Sequence, residues 1–271
     1  MTENPWFAAG VAMFAWWFFT GIILWRVRVA DNGTPDAHRM SVLVGAPLFA
    51  AGVAMASASL GDASVNGAYL GFVATLCLWG WIELAFLSGI ITGPNREICP
   101  PIASHTDRFW RSVGTIAWHE LALIATLVAL GYASLGAENP FAFYTFALLF
   151  AARISSKFNL FLGVPRINTQ FLPYPLRHLP SHFRFARMNP LFPLSVTLLT
   201  GATALLLERT INSATPGTVV GFALLTCLCA LALLEHWFMV LPLPDEKLWR
   251  WMLPAAKPHS PASLHEDANG L

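Results

Sequence analysis

Residues 67–91 read GAYLGFVATLCLWGWIELAFLSGII, twenty-five residues with one charged side chain, Glu83. An α-helix rises ~1.5 Å per residue, and ~20 apolar residues cross the hydrocarbon of a bilayer. The stretch is therefore long enough to span. At this length only a helix satisfies its own backbone in lipid. Working outward, six further apolar runs cover Pro5–Trp25, Met40–Leu60, Val113–Leu135, Pro140–Ser156, Leu191–Leu207 and Gly217–Leu241. The expected fold is all-α: a polytopic integral membrane bundle of about seven transmembrane helices, with no convincing internal repeat.

Composition agrees. The chain of 271 residues is 56% hydrophobic and only 11% charged, with a mean hydropathy of +0.56. Soluble domains carry about 25% charged residues. The net charge of +1 conceals a strong segregation along the chain. Fifteen of the sixteen Lys and Arg residues fall on one side of the seven runs, and Arg209 alone falls on the other. By the positive-inside rule the N-terminus is expected in the periplasm and the C-terminus in the cytoplasm of a bacterial inner membrane. The first residues, MTENPWFAAG, lack a basic region and a cleavage site, so the first run is expected to be a retained helix.

One transmembrane domain is expected over residues 1–253, followed by a polar, Pro- and Ser-rich disordered cytoplasmic tail over 254–271. Within the domain, residues 157–189 form a proline-broken stretch in which aromatic and Leu residues alternate with Arg and His. Such a pattern suits short amphipathic pieces in the cytoplasmic headgroup layer, with membrane lipid as a contact. Arg and aromatic residues also make it a candidate partner surface. Cys77, Cys99, Cys227 and Cys229 form no CxxC and read as small buried hydrophobes.

Five ionisable residues lie within the apolar runs: Glu83, the pair His119-Glu120 and the pair Glu235-His236. Intramembrane charges are costly, face the protein interior and carry a functional presumption. Counting residues from the arginine-rich ends puts all five at one depth, with Arg153 near the same level and Lys157 within reach. Several readings are open. Glu83, Glu120 and Glu235 against Arg153 and Lys157 make a self-neutralising structural network with one negative charge in surplus. Imidazole with carboxylate also suits iron, zinc or manganese. Against that, adjacent helical residues point ~100° apart, and the Glu-x-x-His spacing of di-iron bundles is missing. A neutral His can instead ligate the metal of a tetrapyrrole, with Trp79, Trp81, Trp118 and Trp237 close enough to pack on a macrocycle. A proton or substrate path is a further reading.

The chain shows no Gly-rich phosphate loop, no nucleophile elbow and no HExxH, so it reads as a factor rather than an enzyme. No nucleic-acid partner is expected. Cys227-Leu-Cys229 reads as mid-helix packing. His178 and His182 have the i, i+4 spacing of metal ligands, but within the proline-broken stretch they are expected to be surface histidines.

Longer motifs carry a resemblance. KFNLFLGVPRIN (Lys157–Asn168), FLPYPLRHLPSHFR (Phe171–Arg184) and MNPLFPLSV (Met188–Val196) resemble the signature region of the PuhE-type photosynthetic complex assembly proteins. WIELAFLSGIITGP (Trp81–Pro94), His119-Glu120 and Glu235-His236-Trp237 fit the same family, and the likeness runs from the first helix to Leu243. The resemblance implies a multi-pass protein of the inner, intracytoplasmic membrane of purple phototrophs. Its gene would lie near that of the reaction-centre H subunit. It would act in assembly of the reaction centre and core antenna, with reaction-centre or core-antenna subunits and bacteriochlorophyll-synthesis enzymes as partners. Bacteriochlorophyll or another tetrapyrrole then becomes the expected cofactor class, ahead of iron, zinc or manganese. The alternatives are a membrane-embedded metal-dependent enzyme of tetrapyrrole metabolism and a transporter. The family supplies no established catalytic residues. His119, His236, Glu83, Glu120 and Glu235 are candidates for pigment or metal binding on the residues alone, with Arg153 and Lys157 as ion-pair partners.

Overall fold

The structure, a computed structural model, describes residues 1–242. The expected tail over 254–271 and the domain boundary at 253 lie outside the described residues. Seven helices carry the fold: α1 Pro5–Asp31, α2 Ala37–Ser59, α3 Val65–Leu87, α4 His105–Ala133, α5 Phe141–Leu162, α6 Leu191–Asn212 and α7 Pro216–Phe238. All seven are long and apolar enough to cross a membrane.

Burial follows composition. α3, the run quoted first, is apolar on every face and is the central helix, with 72% of its most apolar window buried. α7 comes next at 50%, and the other five lie between 11% and 22%. These five wrap the central pair and turn Leu, Val, Phe and Trp side chains outward, as lipid-facing helices do. Small residues allow close approach. At Gly221 of α7 the Phe141 ring fills the space where a Cβ would stand, within 2.4 Å of three of its ring carbons.

Two helices differ from expectation in extent. α5 was expected to stop at Ser156 but continues to Leu162. A hydropathy count stops at Arg153 and Lys157, whereas here their charges are paired inside the bundle and the helix runs on. α4 was expected from Val113 but begins two turns earlier. Ser104 Oγ caps it by accepting the Asp107 N–H at 3.1 Å, and Asp107 sits favourably in the first turn.

The arginine-rich end is closed by the stretch after α5. It makes three 3₁₀ turns, Thr169–Phe171, Tyr174–Leu176 and Leu179–His182, which tuck beneath the helices. Its prolines forbid a long helix. Leu176 and Leu179 are buried in one cluster with Phe86. Backbone contacts tie this plug down. Arg28 Nη2 donates to Gln170 O at 2.7 Å, Arg108 Nη1 to His182 O at 3.1 Å, and Arg166 N to Met239 O at 3.1 Å. His178 and His182, expected at the surface, are buried within the plug at 5% and 2% exposure. Their rings stand 6.5 Å apart at 89°, because a 3₁₀ turn does not place i and i+4 on one face.

Candidate functional site

Helix register places the ionisable layer. The Tyr69 hydroxyl of α3 donates to Thr2 O beside α1 at 3.0 Å, and Trp16 and Glu83 each lie fourteen residues further in. Phe141 of α5 packs edge-on against Phe222 of α7 at 5.3 Å, and Arg153 and Glu235 lie twelve and thirteen residues beyond. All four side chains therefore sit at one level, ~20 Å along the helices from those reference contacts.

At this level two ion pairs form across helices. Arg153 Nη2 donates to Glu83 Oε2 at 2.9 Å, joining α5 to α3. Lys157 Nζ, one turn further along α5, donates to Glu120 Oε1 of α4. His119 is fully buried, with its ring against Phe86 at 4.3 Å and its Nε2 3.6 Å from Glu83 Oε1. Neither of its nitrogens, nor Glu83 Oε1, has a hydrogen-bond partner among the described residues.

The α3–α4 loop holds His119 in place. The Thr92 carbonyl accepts the backbone N–H groups of Trp118 and His119 at 2.9 and 3.2 Å, and Asn95 N donates to Gly114 O at 3.0 Å. A backbone segment is thus stitched into the α4 ladder immediately before the site. Gly93 makes this possible, since a Cβ there would meet Gly114 O at 2.0 Å. The Thr-Gly-Pro at residues 92–94 is therefore a splice between helices, which its sequence did not reveal.

The second adjacent pair divides its work. His236 is buried on the side of α7 that faces α5: its Nδ1 meets Ala232 O at 2.8 Å and its Nε2 meets Ser155 Oγ at 2.9 Å. Glu235 points another way. Its Oε1 accepts the Trp16 indole N–H at 3.1 Å, and the residue lines a cavity between the helices.

That cavity, of about 560 Å³, lies among α1, α3, α4, α5 and α7 and is floored by the plug. Its walls are largely apolar and aromatic, with Phe19, Trp79, Leu149 and Phe183 among them. Glu83, Arg153, Lys157, Arg166 and Glu235 supply its charges. The expected single constellation is thus divided. Glu83, Glu235, Arg153 and Lys157 line the cavity, whereas His119, Glu120 and His236 stand behind its wall. Of the four Trp residues expected beside the layer, Trp79 lines the cavity. Trp81 instead donates its indole N–H to Val42 O at 3.0 Å, and Trp118 and Trp237 are exposed on the outer surface. Trp16, which makes the cross-helix bond to Glu235, was not anticipated; only the register of α1 against α3 reveals it. Among the described residues no three His, Cys, Asp or Glu side chains form a metal-holding group. The four cysteines are free thiols, with Cys77, Cys99 and Cys229 buried.

Comparison with known proteins places the chain. Residues 1–260 match the family described as "Protein of unknown function (DUF3623)", and the chain belongs to that family. It is 58% identical over 255 residues, 94% of this chain and 93% of the other, to a Rhodobacter capsulatus protein. That relative is described as an uncharacterized 30.4 kDa protein in the puhA 5' region. No solved structure matches the chain.

Proposed function

We propose that this protein is an assembly factor for the photosynthetic reaction centre and core antenna that holds a bacteriochlorophyll-class pigment within its bundle. The observation that carries this reading is the interior cavity. It is apolar and aromatic, carries a few fixed polar groups at one depth, and has a volume within the ~300–1,000 Å³ usual for small-molecule sites. The puhA-region origin of the Rhodobacter capsulatus relative supports a role in photosynthesis. In this reading the arginine-rich end faces the cytoplasm of a bacterial inner membrane. The stretch 157–189, from the end of α5 through the plug, is then the surface that meets complex subunits or the enzymes that supply pigment.

The test is direct. Full-length protein is purified in mild detergent from a bacteriochlorophyll-producing host, and its pigment is extracted and quantified. Near-stoichiometric bacteriochlorophyll or a tetrapyrrole precursor is expected. In parallel, deleting the gene should lower reaction-centre and core-antenna absorbance. Pigment-free protein, together with unchanged complex levels in the deletion strain, overturns the reading.

A further inference from the structure

The cavity is long, and its two ends differ. It is lined on α3 from Leu76 to Leu87 and on α7 from Leu228 to Met239. Leu76 and Leu228 each stand seven residues before Glu83 and Glu235, which share one level, so the chamber extends ~17 Å along the bundle. Spread over that length, its volume of about 560 Å³ gives a mean section of about 33 Å². Such a section takes one extended hydrocarbon chain. On the side of the ionisable layer away from the plug the wall is apolar, with Leu76, Leu148 and Leu228 in it. Gly80 keeps the passage to this end open. A Cβ there would meet the Ile23 and Phe19 side chains at 3.4 and 3.8 Å, and a longer side chain would reach into the chamber. Between the layer and the plug the wall carries the charges.

Those charges balance. Glu83, Glu120 and Glu235 stand against Arg153, Lys157 and Arg166. Glu83 pairs with Arg153 and Glu120 with Lys157, and the Arg153 charge acts on Glu235 as well. A ligand head with a net charge would upset this balance in a poorly solvated site, where an uncompensated charge is costly. An uncharged oxygen acceptor would not. Arg153 uses one of its five N–H donors on Glu83 and keeps 35% of its side chain accessible, so donors remain for such an acceptor. We propose that the chamber takes a single long hydrocarbon chain, acyl or prenyl, that ends in an ester. The ester oxygen meets Arg153, and the chain runs past Gly80 to Leu76, Leu148 and Leu228. An esterified pigment and a membrane lipid both carry this chemistry. The inference goes beyond the pigment-holding reading: a pigment would place its long-chain arm here and leave its macrocycle outside.

The experiment uses the full-length protein in phosphatidylcholine nanodiscs. The probe is the methyl ester of a long-chain fatty acid with a diazirine at its far end. After irradiation, labelled residues are read by peptide mass spectrometry. Label is expected on Leu76, Leu148, Leu228 and their neighbours, and the free acid of the same probe should label them roughly tenfold less, because nothing matches its charge. Leu148→Trp and Gly80→Leu, which fill the apolar end and the passage, should each remove that label. Label confined to outward-facing residues such as Val128 and Leu198, or equal labelling by ester and acid, overturns the assignment and leaves the pigment reading to its own extraction test. Competition identifies the source of the chain, since bacteriochlorophyll a carries a long-chain ester and bacteriochlorophyllide a lacks it. Protection by the first alone supports the pigment's arm as the occupant. Equal protection by both places the macrocycle in the chamber and overturns the assignment. Protection by neither supports a membrane lipid as the occupant, which keeps the assignment and counts against the pigment reading.

Discussion

The Glu83–Arg153 pair yields the sharpest quantitative prediction. Arg153→Leu removes the cation that faces Glu83 at 2.9 Å and leaves the carboxylate at 7% exposure beside an imidazole 3.6 Å away. Breaking a buried pair by removing one partner costs about 3–5 kcal/mol. Arg153 keeps 35% of its side chain accessible to the cavity, which places the cost at the lower end, ~3 kcal/mol. That corresponds to a fall of roughly 6–12 °C in melting temperature for a domain of this size. Glu83→Leu should cost a similar amount, because Arg153 then lacks its partner. The double variant, with both charges replaced by apolar side chains, should recover most of the loss, since such replacements are often neutral. The assay is a double-mutant cycle on purified protein, with melting followed by loss of the monodisperse peak in size-exclusion chromatography. If the double variant loses the sum of the two single losses, the two residues do not act as a pair and the layer is not organised as described.

Three further outcomes follow from other parts of the molecule. Gly93→Ala would set a Cβ against the Gly114 carbonyl, so it should unstitch the α3–α4 splice, lower the melting temperature by several degrees and speed proteolysis near residues 92–118. Burial holds His178 and His182 below their ordinary value of 6.5, with Arg96 disfavouring the charged form of His178 and Arg108 and Arg111 that of His182. The unfolded chain therefore takes up protons first: stability is complete above pH ~6.5 and declines progressively below it, and His178→Gln with His182→Gln should flatten melting curves compared at pH 5.5 and 7.5. A cytoplasmic-active reporter fused after Leu253 should be active and a periplasm-active one silent; the reverse pattern refutes the orientation inferred from the Lys and Arg bias.

Much of the fold was legible because run length alone identifies spanning helices. α3 could also be placed at the centre by inspection, since it has no polar face. The limits of α4 and α5 were harder to read. A hydropathy count treats Arg153 and Lys157 as an end, whereas in the bundle they are paired with Glu83 and Glu120, and pairing depends on neighbours far away in sequence. The two histidines of the plug were misread for the same reason. His178 and His182 look solvated in a stretch rich in Arg and Pro, and only the tucking of Leu176 and Leu179 under Phe86 buries them. The Thr92–Pro94 splice left no signal beyond a glycine, which as a residue type announces nothing about which carbonyl it lets approach.

The site divides along a line that helix geometry had already drawn. Neighbours on a helix point ~100° apart, so His119 and Glu120 could not serve one centre. In the bundle His119 turns to Glu83 on α3, while Glu120 turns to Lys157 on α5. Glu235 and His236 divide in the same way: the histidine locks α7 to Ser155 of α5, and the carboxylate faces the cavity. In each pair the histidine is buried behind the chamber wall, while the carboxylate answers a charge or a void. Depth along a helix, which sequence supplies, assembled all of these residues in one layer. Rotation about the helix axis, which sequence leaves open, decided which of them a ligand can reach. Of the five residues that first marked the layer, Glu83 and Glu235 line the chamber. Binding defects in variants of Glu83 and Glu235, with His236 variants losing stability instead, are the pattern this division requires.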